Sequence, residues 1–462
     1  MTRLTCFSLL FLLFWGITSV CAQNMNDTLT TNSQYERLWL EKVWHHSDNP
    51  ASLYEMNMPD WGKASLNYDV EEGSRHRPQE PAEWNNFGFQ TQRFQSLDKL
   101  RFSGNFSFDQ TTEKDRNFCD VLNPYRNTPY VFATKNEGDW SKQHYALSAT
   151  ASTYPLWDWL NAGLDVKYAV ATGARENDPR PLNLMNQVRI TPGLLAHIST
   201  HHKLGIHGFY QGYKEEVSMM IKTPNESFIR YQLLGLGEFN SGTMSGSYNR
   251  AYFGDTFGGN IQYSLSTDEM KWLTQAGFSK RTERVRDQIS RPKKAGKYSE
   301  SAFIGESYLL LNASSRFLHQ VGVKGQYLEG SGTEYKQNFD RDQEKWITFS
   351  QSVKYEIAVQ SVRLYYQTMK KAQGYSYDYK ALISLSLQNS EKKYYLPNSN
   401  QQITSLQTHA QIVKYFDNTW RVGLSLRYHT PLDDALDLSD TEEPIIQEQV
   451  TIPDHDYFLS EK

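Results

Sequence analysis

Four histidines, His197, His201, His202 and His207, form the one histidine cluster of the 462-residue sequence. A hairpin that sets Ile198 against Ile206 and Ala196 against Gly208 places His197 across from His207, close enough for two imidazoles to share a metal ion. No carboxylate or cysteine lies within that hairpin. Two polar residues beside a wet turn are therefore the plainer reading, and no metal is expected. Catalytic groupings are missing too: there is no Gly-x-Ser-x-Gly elbow, no His-Glu-x-x-His pair and no phosphate-binding loop. No Ser, His and Asn grouping matches the barrel phospholipases. Neither a catalytic residue nor a cofactor is expected, and the chain is read as not an enzyme. Asp115, Asp120, Glu137 and Asp139 could bind calcium, although keeping a loop soluble is the commoner use of such residues.

Charge excludes another class. With 48 Lys and Arg against 52 Asp and Glu, the net charge is −4, and no long block of one sign appears. A nucleic-acid partner is not expected. The charges that remain of interest are mixed in sign and share one face of alternating segments: Arg101, Asp109, Asp165, Lys167, Arg421 and Arg427. Gathered in a lumen, they would argue against a strongly ion-selective pore, or they would pair and fill it.

Strands must position these residues. Leu100, Phe102, Phe106 and Phe108 alternate with Arg101, Ser103, Asn105, Ser107 and Asp109, a period of two that only a strand separates into faces. Leu160 to Val170 and Trp420 to His429 repeat it, and the pattern recurs from about residue 61 to 430. Short connections at 98–99, 155–158, 200–202, 266–269, 313–316 and 417–419 alternate with long ones near 110–142, 222–252, 287–300 and 332–346. Strands of about ten residues, short turns on one side and long loops on the other are the layout of a transmembrane barrel. Mean hydropathy is −0.66, yet the chain carries 29 Tyr, 23 Phe and 11 Trp. Tyr154, Trp157, Trp159, Trp272, Phe416 and Trp420 cluster at strand ends, as an interfacial girdle would. The expected fold is all-β, an antiparallel up-and-down barrel of about 14–18 strands with a short N-terminal helix or plug. About sixteen strands are visible, with one missed or split between residues 355 and 401. A soluble β-sandwich is the rival.

The ends supply compartment and boundaries. Arg3 precedes an apolar run from Leu4 to Trp15 and a small-residue exit through Thr18, Ser19 and Ala22, which reads as a signal peptide over residues 1–22. A lipoprotein reading of Cys21 is disfavoured by Val20 before it. Cys119 is then the one cysteine of the mature chain, so no disulfide framework holds the fold. Residues 23–60 form an N-terminal helix or hatch segment and 61–462 the barrel. Tyr457 to Lys462 read as the start of a strand rather than its end. A missing C-terminal closing strand and an open seam are therefore expected; the rival has the strand before residue 430 close the barrel and a polar tail follow.

Residues 33–46 carry Tyr35, Leu38, Trp39, Val43 and Trp44 at helical spacing, with Ser33 as a candidate N-cap. Asn49-Pro50-Ala51 follows, just before the first strand. Here the sequence resembles the long-chain fatty-acid transporter family of outer membranes, whose N-terminal hatch carries an Asn-Pro-Ala motif. More broadly it resembles uncharacterised Bacteroidota-type outer-membrane barrels. The resemblance implies that Asn49, Pro50 and Ala51 belong to a gating plug; an Asx-Pro turn that only delivers the chain to the barrel is the alternative. The expected function is an outer-membrane barrel acting as a gated or plugged channel for a small solute, hydrophobic ones included. Outer-membrane lipid and the outer-membrane assembly machinery are its other expected partners. A non-transport barrel serving assembly, adhesion or secretion through its long loops is the second reading.

Overall fold

The computed structural model describes residues 32–223, 225–288, 290–311, 315–372, 377–416 and 420–460. The expected signal peptide lies outside them. Helix α1 (Asn32–Leu40) begins one residue before the expected cap Ser33 and stops well short of residue 46. Lys42 is extended, and a 3-10 turn spans Val43–His46. This break turns Val43 and Trp44 into a buried cluster with Met56, Leu195 and Leu273, a gain in burial that outweighs one more turn of helix. A second 3-10 turn, Pro50–Ser52, leads into the short helix α2 (Leu53–Met56).

Eighteen strands follow among the described residues. The first six are β1 (Trp61–Glu72), β2 (Glu83–Ser96), β3 (Leu100–Arg116), β4 (Phe132–Thr134), β5 (Gly138–Thr153) and β6 (Leu160–Arg175). Next come β7 (Arg180–His197), β8 (His202–Met220), β9 (Phe228–Gly235), β10 (Glu238–Met244), β11 (Tyr248–Ser266) and β12 (Met270–Asp287). The last are β13 (Lys293–Leu311), β14 (Phe317–Asp340), β15 (Lys345–Lys371), β16 (Tyr377–Tyr394), β17 (Ser399–Phe416) and β18 (Trp420–Asp437). Fifteen of them pair in sequence order into one antiparallel sheet, from β1 through β3, β5 to β8 and β11 to β18. Strands β4, β9 and β10 form a separate small sheet.

The large sheet is rolled around the N-terminal segment. Laid flat, fifteen strands would be roughly 70 Å across, yet Arg101 of β3, Lys203 of β8, Lys271 of β12, Lys380 of β16 and Arg421 of β18 all reach residues 36–57. Its outer face is apolar. The row Val323, Leu364 and Leu385 runs in register across β14, β15 and β16, and all three are exposed, as are Leu184, Ile206, Phe257, Ile261 and Phe303. A sheet presenting such a belt around its perimeter needs an apolar surround. Trp157, Trp159, Phe416 and Trp420 are exposed at the short-turn end, as the girdle requires, whereas Tyr154 packs its ring against Tyr54 of the N-terminal segment.

The sheet is not closed, since β1 and β18 pair with one neighbour each. With fifteen strands alternating in direction, the first and last run the same way. Direct closure would be a parallel pair, and both edge strands are exposed along most of their length. Residues Tyr457 to Leu459 belong to a helix, α3 (Ile452–Leu459), which a π-turn (Gln447–Thr451) precedes. The expected strand start is thus absent there. Pro453 in the first turn suits a helix start, and Arg77 binds Asp454 at 2.7 Å while His455 meets Gln401 and Asp434, tying the helix across the seam at the long-loop end.

Two of the expected long loops are strand. β12 and β13 leave only 288–292 between them, and β14 and β15 only 341–344. The irregularity between 355 and 401 has the same cause: the connection from β16 to β17, on the long-loop side, is residues 395–398 alone. No strand is missing there. Segments 110–142 and 222–252 contain β4, β9 and β10, and they fold inward as a cap. Phe118, Val121, Phe132, Leu233, Leu234, Leu236 and Met244 form its core with Val217, Tyr252, Tyr298 and Tyr355 from the wall.

Candidate functional site: the plugged lumen

Asn49 is the keystone of the N-terminal plug. Its side-chain oxygen accepts from the Ala51 amide at 3.0 Å, which is an Asx turn. Its Nδ2 donates to the Leu194 carbonyl of β7 at 2.9 Å and to Gln262 Oε1 of β11 at 3.1 Å. Ser152 of β5 donates to the Ala51 carbonyl at 2.9 Å. Asn49, Pro50 and Ala51 are all buried, so the motif is seated against the wall and does more than turn the chain.

The seat is a notch of three strand glycines. Gly163 of β6 pairs with Gly193 of β7, and Gly205 of β8 lies nearby, opposite Leu195. A Cβ on Gly163 would stand 2.3 Å from the Ala51 nitrogen, and one on Gly193 2.2 Å from Asn49 Oδ1. On Gly205 it would meet Gln262 Oε1 at 2.6 Å and Asn49 Nδ2 at 2.9 Å. The missing side chain admits the plug backbone at Gly163 and the Asn49 side chain at Gly193 and Gly205.

The rest of the plug is pinned around the lumen. His46 stacks on Tyr308 of β13 at 3.7 Å and 4°. Its Nε2 also meets Gln320 Nε2 of β14 and, at 3.0 Å, Tyr365 Oη of β15. Burial holds both neighbouring imidazoles below their usual pKa: His45, bonded to the Lys42 carbonyl, falls to about 4, and His46 lower still, with His45 adding to its shift. Glu36 accepts from Tyr377 at 2.5 Å and faces Lys380, Tyr415 and Arg421 of the last three strands. Burial pushes its carboxyl up, but the Tyr377 bond and the two cations outweigh that, leaving it below the ordinary range.

The polar wall residues do not act as one group. Arg101 is buried and donates to the Tyr54 carbonyl and to Asn57 Oδ1. Arg421 pairs with Glu36 at 3.2 Å. Asp165 accepts from Thr150 at 2.7 Å with Lys167 at 3.7 Å. Asp109 lies 3.8 Å from His144, and Arg427 stands on the exposed edge strand β18. The histidine pair is not formed. His197 is opposite Lys203 and His207 opposite Gly193, because the turn closes earlier, with Ile198 bonded to His202. His197 meets Asn161 at 2.6 Å and Glu55 at 3.6 Å, while His207 meets Gln262 at 2.8 Å. Among the described residues no three His, Cys, Asp or Glu side chains converge as for a metal ion. Asp120 is committed elsewhere, to Arg175 at 3.0 Å and Thr134 at 2.8 Å.

Sequence reasoning missed the glycine notch and the cavity beneath the cap. The latter encloses about 570 Å³ between α3, the cap and β14 to β17. Gln326, Ser361, Gln388 and Ser405 cross its wall as one register-matched row, uncharged and polar. The period-two pattern marks each as inward, but only pairing reveals the row.

A family of unknown function (DUF6850) matches residues 50–462 of the chain. No curated protein matches it in sequence. Among solved structures it is similar to the ferric yersiniabactin uptake receptor FyuA from Yersinia pestis, at 10% identity and a TM-score of 0.37, over 80% of this chain and 63% of that one. The siderophore receptor PiuA from Acinetobacter baumannii aligns at 8% identity and a TM-score of 0.36, over 79% and 74% of the two chains. The ferric-catecholate import receptor Fiu from Escherichia coli does so at 8% and 0.38, over 80% and 65%. The chain spans less than two thirds of the length of FyuA and of Fiu. The family match does not extend to the fatty-acid transporters that the Asn-Pro-Ala motif suggests.

Proposed function

The chain belongs to that family of unknown function, and from the geometry of its plug we propose that it is an outer-membrane barrel through which a small solute passes when the plug moves. The observation that carries this reading is the seating of Asn49-Pro50-Ala51 in the notch of Gly163, Gly193 and Gly205. A turn that merely delivered the chain would not need wall glycines on three adjacent strands. The apolar belt supports surrounding lipid, and insertion then falls to the outer-membrane assembly machinery. The reading is non-enzymatic.

The cavity wall sets the polar Gln326 to Ser405 row beside apolar Leu328, Ile357, Val359 and Ile403, so it suits a small solute of mixed polarity. A non-transport barrel that binds partners through long loops is the weaker reading, because segments 117–137 and 228–244 pack inward. Planar-bilayer recordings of the whole protein and of a variant lacking residues 32–58 test the proposal. We expect small or rare conductance steps from the first and larger, persistent ones from the second. Indistinguishable traces from the two proteins would overturn it.

A further inference from the structure

At the short-turn end a cavity of about 470 Å³ lies between the plug and the wall. Lys42 and Trp44 face it from the plug; Arg101, Lys203 and Lys271 face it from β3, β8 and β12. Glu55 is the one carboxylate among the lining residues, against those four basic side chains. That carboxylate is already spent, on Lys203 and on His197 at 3.6 Å. The nearby Glu41 is likewise committed, to Arg37 at 3.0 Å and Lys371 at 3.3 Å.

What remains unsatisfied around the cavity is positive charge. Arg101 spends its terminal nitrogens on Tyr54 and Asn57. The Lys42 ammonium forms no hydrogen bond or close ion pair among the described residues. Burial, with Lys271 and Arg101 nearby, lowers its pKa, and Glu41 and Glu55 offset only part of that. Surplus positive charge gathered at one cavity costs free energy until an acceptor carrying negative charge arrives.

We propose that this cavity binds a phosphate-class oxyanion, held between Lys42 of the plug and Lys271 of the wall, with Arg101 adding positive charge beside them. Such an ion offers only acceptors and can take several charge-assisted bonds at once. The site faces the lumen, away from the lipid belt, so the anion comes from solution. Because it bridges plug and wall, it fastens the plug. The inference rests on the cavity alone and goes beyond the transport reading.

Isothermal titration calorimetry of the full chain in neutral detergent tests it, with inorganic phosphate and then pyrophosphate at pH 7.5 against chloride of matched ionic strength. We expect saturable binding of one anion, tighter for pyrophosphate, and about a tenfold weaker affinity in Lys42→Gln, the loss of one charge-assisted contact. Lys42 holds no structural bond through its side chain, so that variant is expected to fold; Lys271→Gln, which removes the facing charge from the wall, is the second and is expected to weaken binding likewise. Heats equal to those of chloride, or an unchanged affinity in Lys42→Gln, would overturn the proposal. No conductance enters, so it fails or stands separately from the channel reading.

Discussion

At the scale of single residues, the plug is held by groups whose fit leaves little room. Gly193→Ala puts a methyl where Asn49 Oδ1 stands; overpacking of that kind costs about 1–3 kcal/mol. The expected result is faster hydrogen exchange in residues 43–57 with the strand amides unchanged, and equal exchange in both proteins would show that the motif does not seat there. The histidines give a pH dependence. Seated, His45 titrates near 4 and His46 lower, against 6.5 for a free ring. Their contribution is therefore complete above pH 6.5 and declines as pH falls toward 4, where the released segment takes protons that the seated one refuses. The surrounding groups are Tyr308, Tyr365 and Gln320 around His46, Trp39 and the Lys42 carbonyl at His45, and Glu306 behind Tyr308 at 2.9 Å. Exchange protection of the plug, corrected for intrinsic rates, should fall between pH 7 and 4.5; a flat profile would refute the assignment. Asn49-Pro50-Ala51 was legible because an Asx-Pro turn before a first strand is a local pattern. Its glycine seat was not, since strand glycines take on meaning only when pairing brings three together. The His197 and His207 match failed for a related reason: one turn closing earlier shifts every partner across a hairpin.

At the scale of elements, the cap depends on ion pairs buried beneath it. Asp120 and Arg175 are fully buried and meet at 3.0 Å, as an ion pair without hydrogen-bond alignment at that oxygen. Arg126 reaches Glu283 at 2.8 Å, and Arg250 holds Asp287 at 2.7 Å. Asp120→Asn leaves the Arg175 charge uncompensated, a loss of about 3–5 kcal/mol for a pair broken on one side. Its expected signature is exchange and protease sensitivity confined to residues 117–136 and 228–244, with the wall strands protected. A uniform loss across the molecule would instead mean that cap and wall unfold together. The long-loop side was also where reading strand from sequence failed. β14 beyond Gly330 runs Ser, Gly, Thr, Glu, Tyr, Lys, Gln and Asn, polar on both faces, because a hairpin projecting past an apolar belt has no face to hide. Periodicity reports burial on one side, and it falls silent where neither side is buried.

At the scale of the whole molecule, strand parity sets the problem. Fifteen antiparallel strands cannot close edge to edge without one parallel pair, and β1 and β18 stand apart. Along β18, outward Trp420, Val422, Leu424 and Leu426 and inward Arg421, Ser425 and Arg427 are all exposed, so this strand is covered on neither face. An unpaired edge in an apolar belt leaves every second amide without a partner, which is unfavourable in lipid. The seam is bridged at both ends: at the long-loop end by α3 through Arg77 and Asp454 and through His455 with Gln401 and Asp434, and at the short-turn end by α1, where Tyr35 packs on Trp61 of β1 at 4.4 Å and Glu36 pairs with Arg421 of β18. Hydrogen exchange by mass spectrometry in detergent should therefore grade across the sheet: slow in β12, flanked on both sides, and fast in β1 and β18, with the difference largest at mid-strand, between the two bridges. Asp454→Asn weakens the long-loop bridge and should spread fast exchange to the long-loop end of β18, Thr430 to Asp437, while leaving β12 unchanged. If β1 and β18 prove as protected as β12 in the unaltered protein, their edges are paired in solution and a further antiparallel strand or second molecule occupies the gap. The even count that a closed antiparallel barrel demands would then be met by that added strand rather than by contact between the two edges.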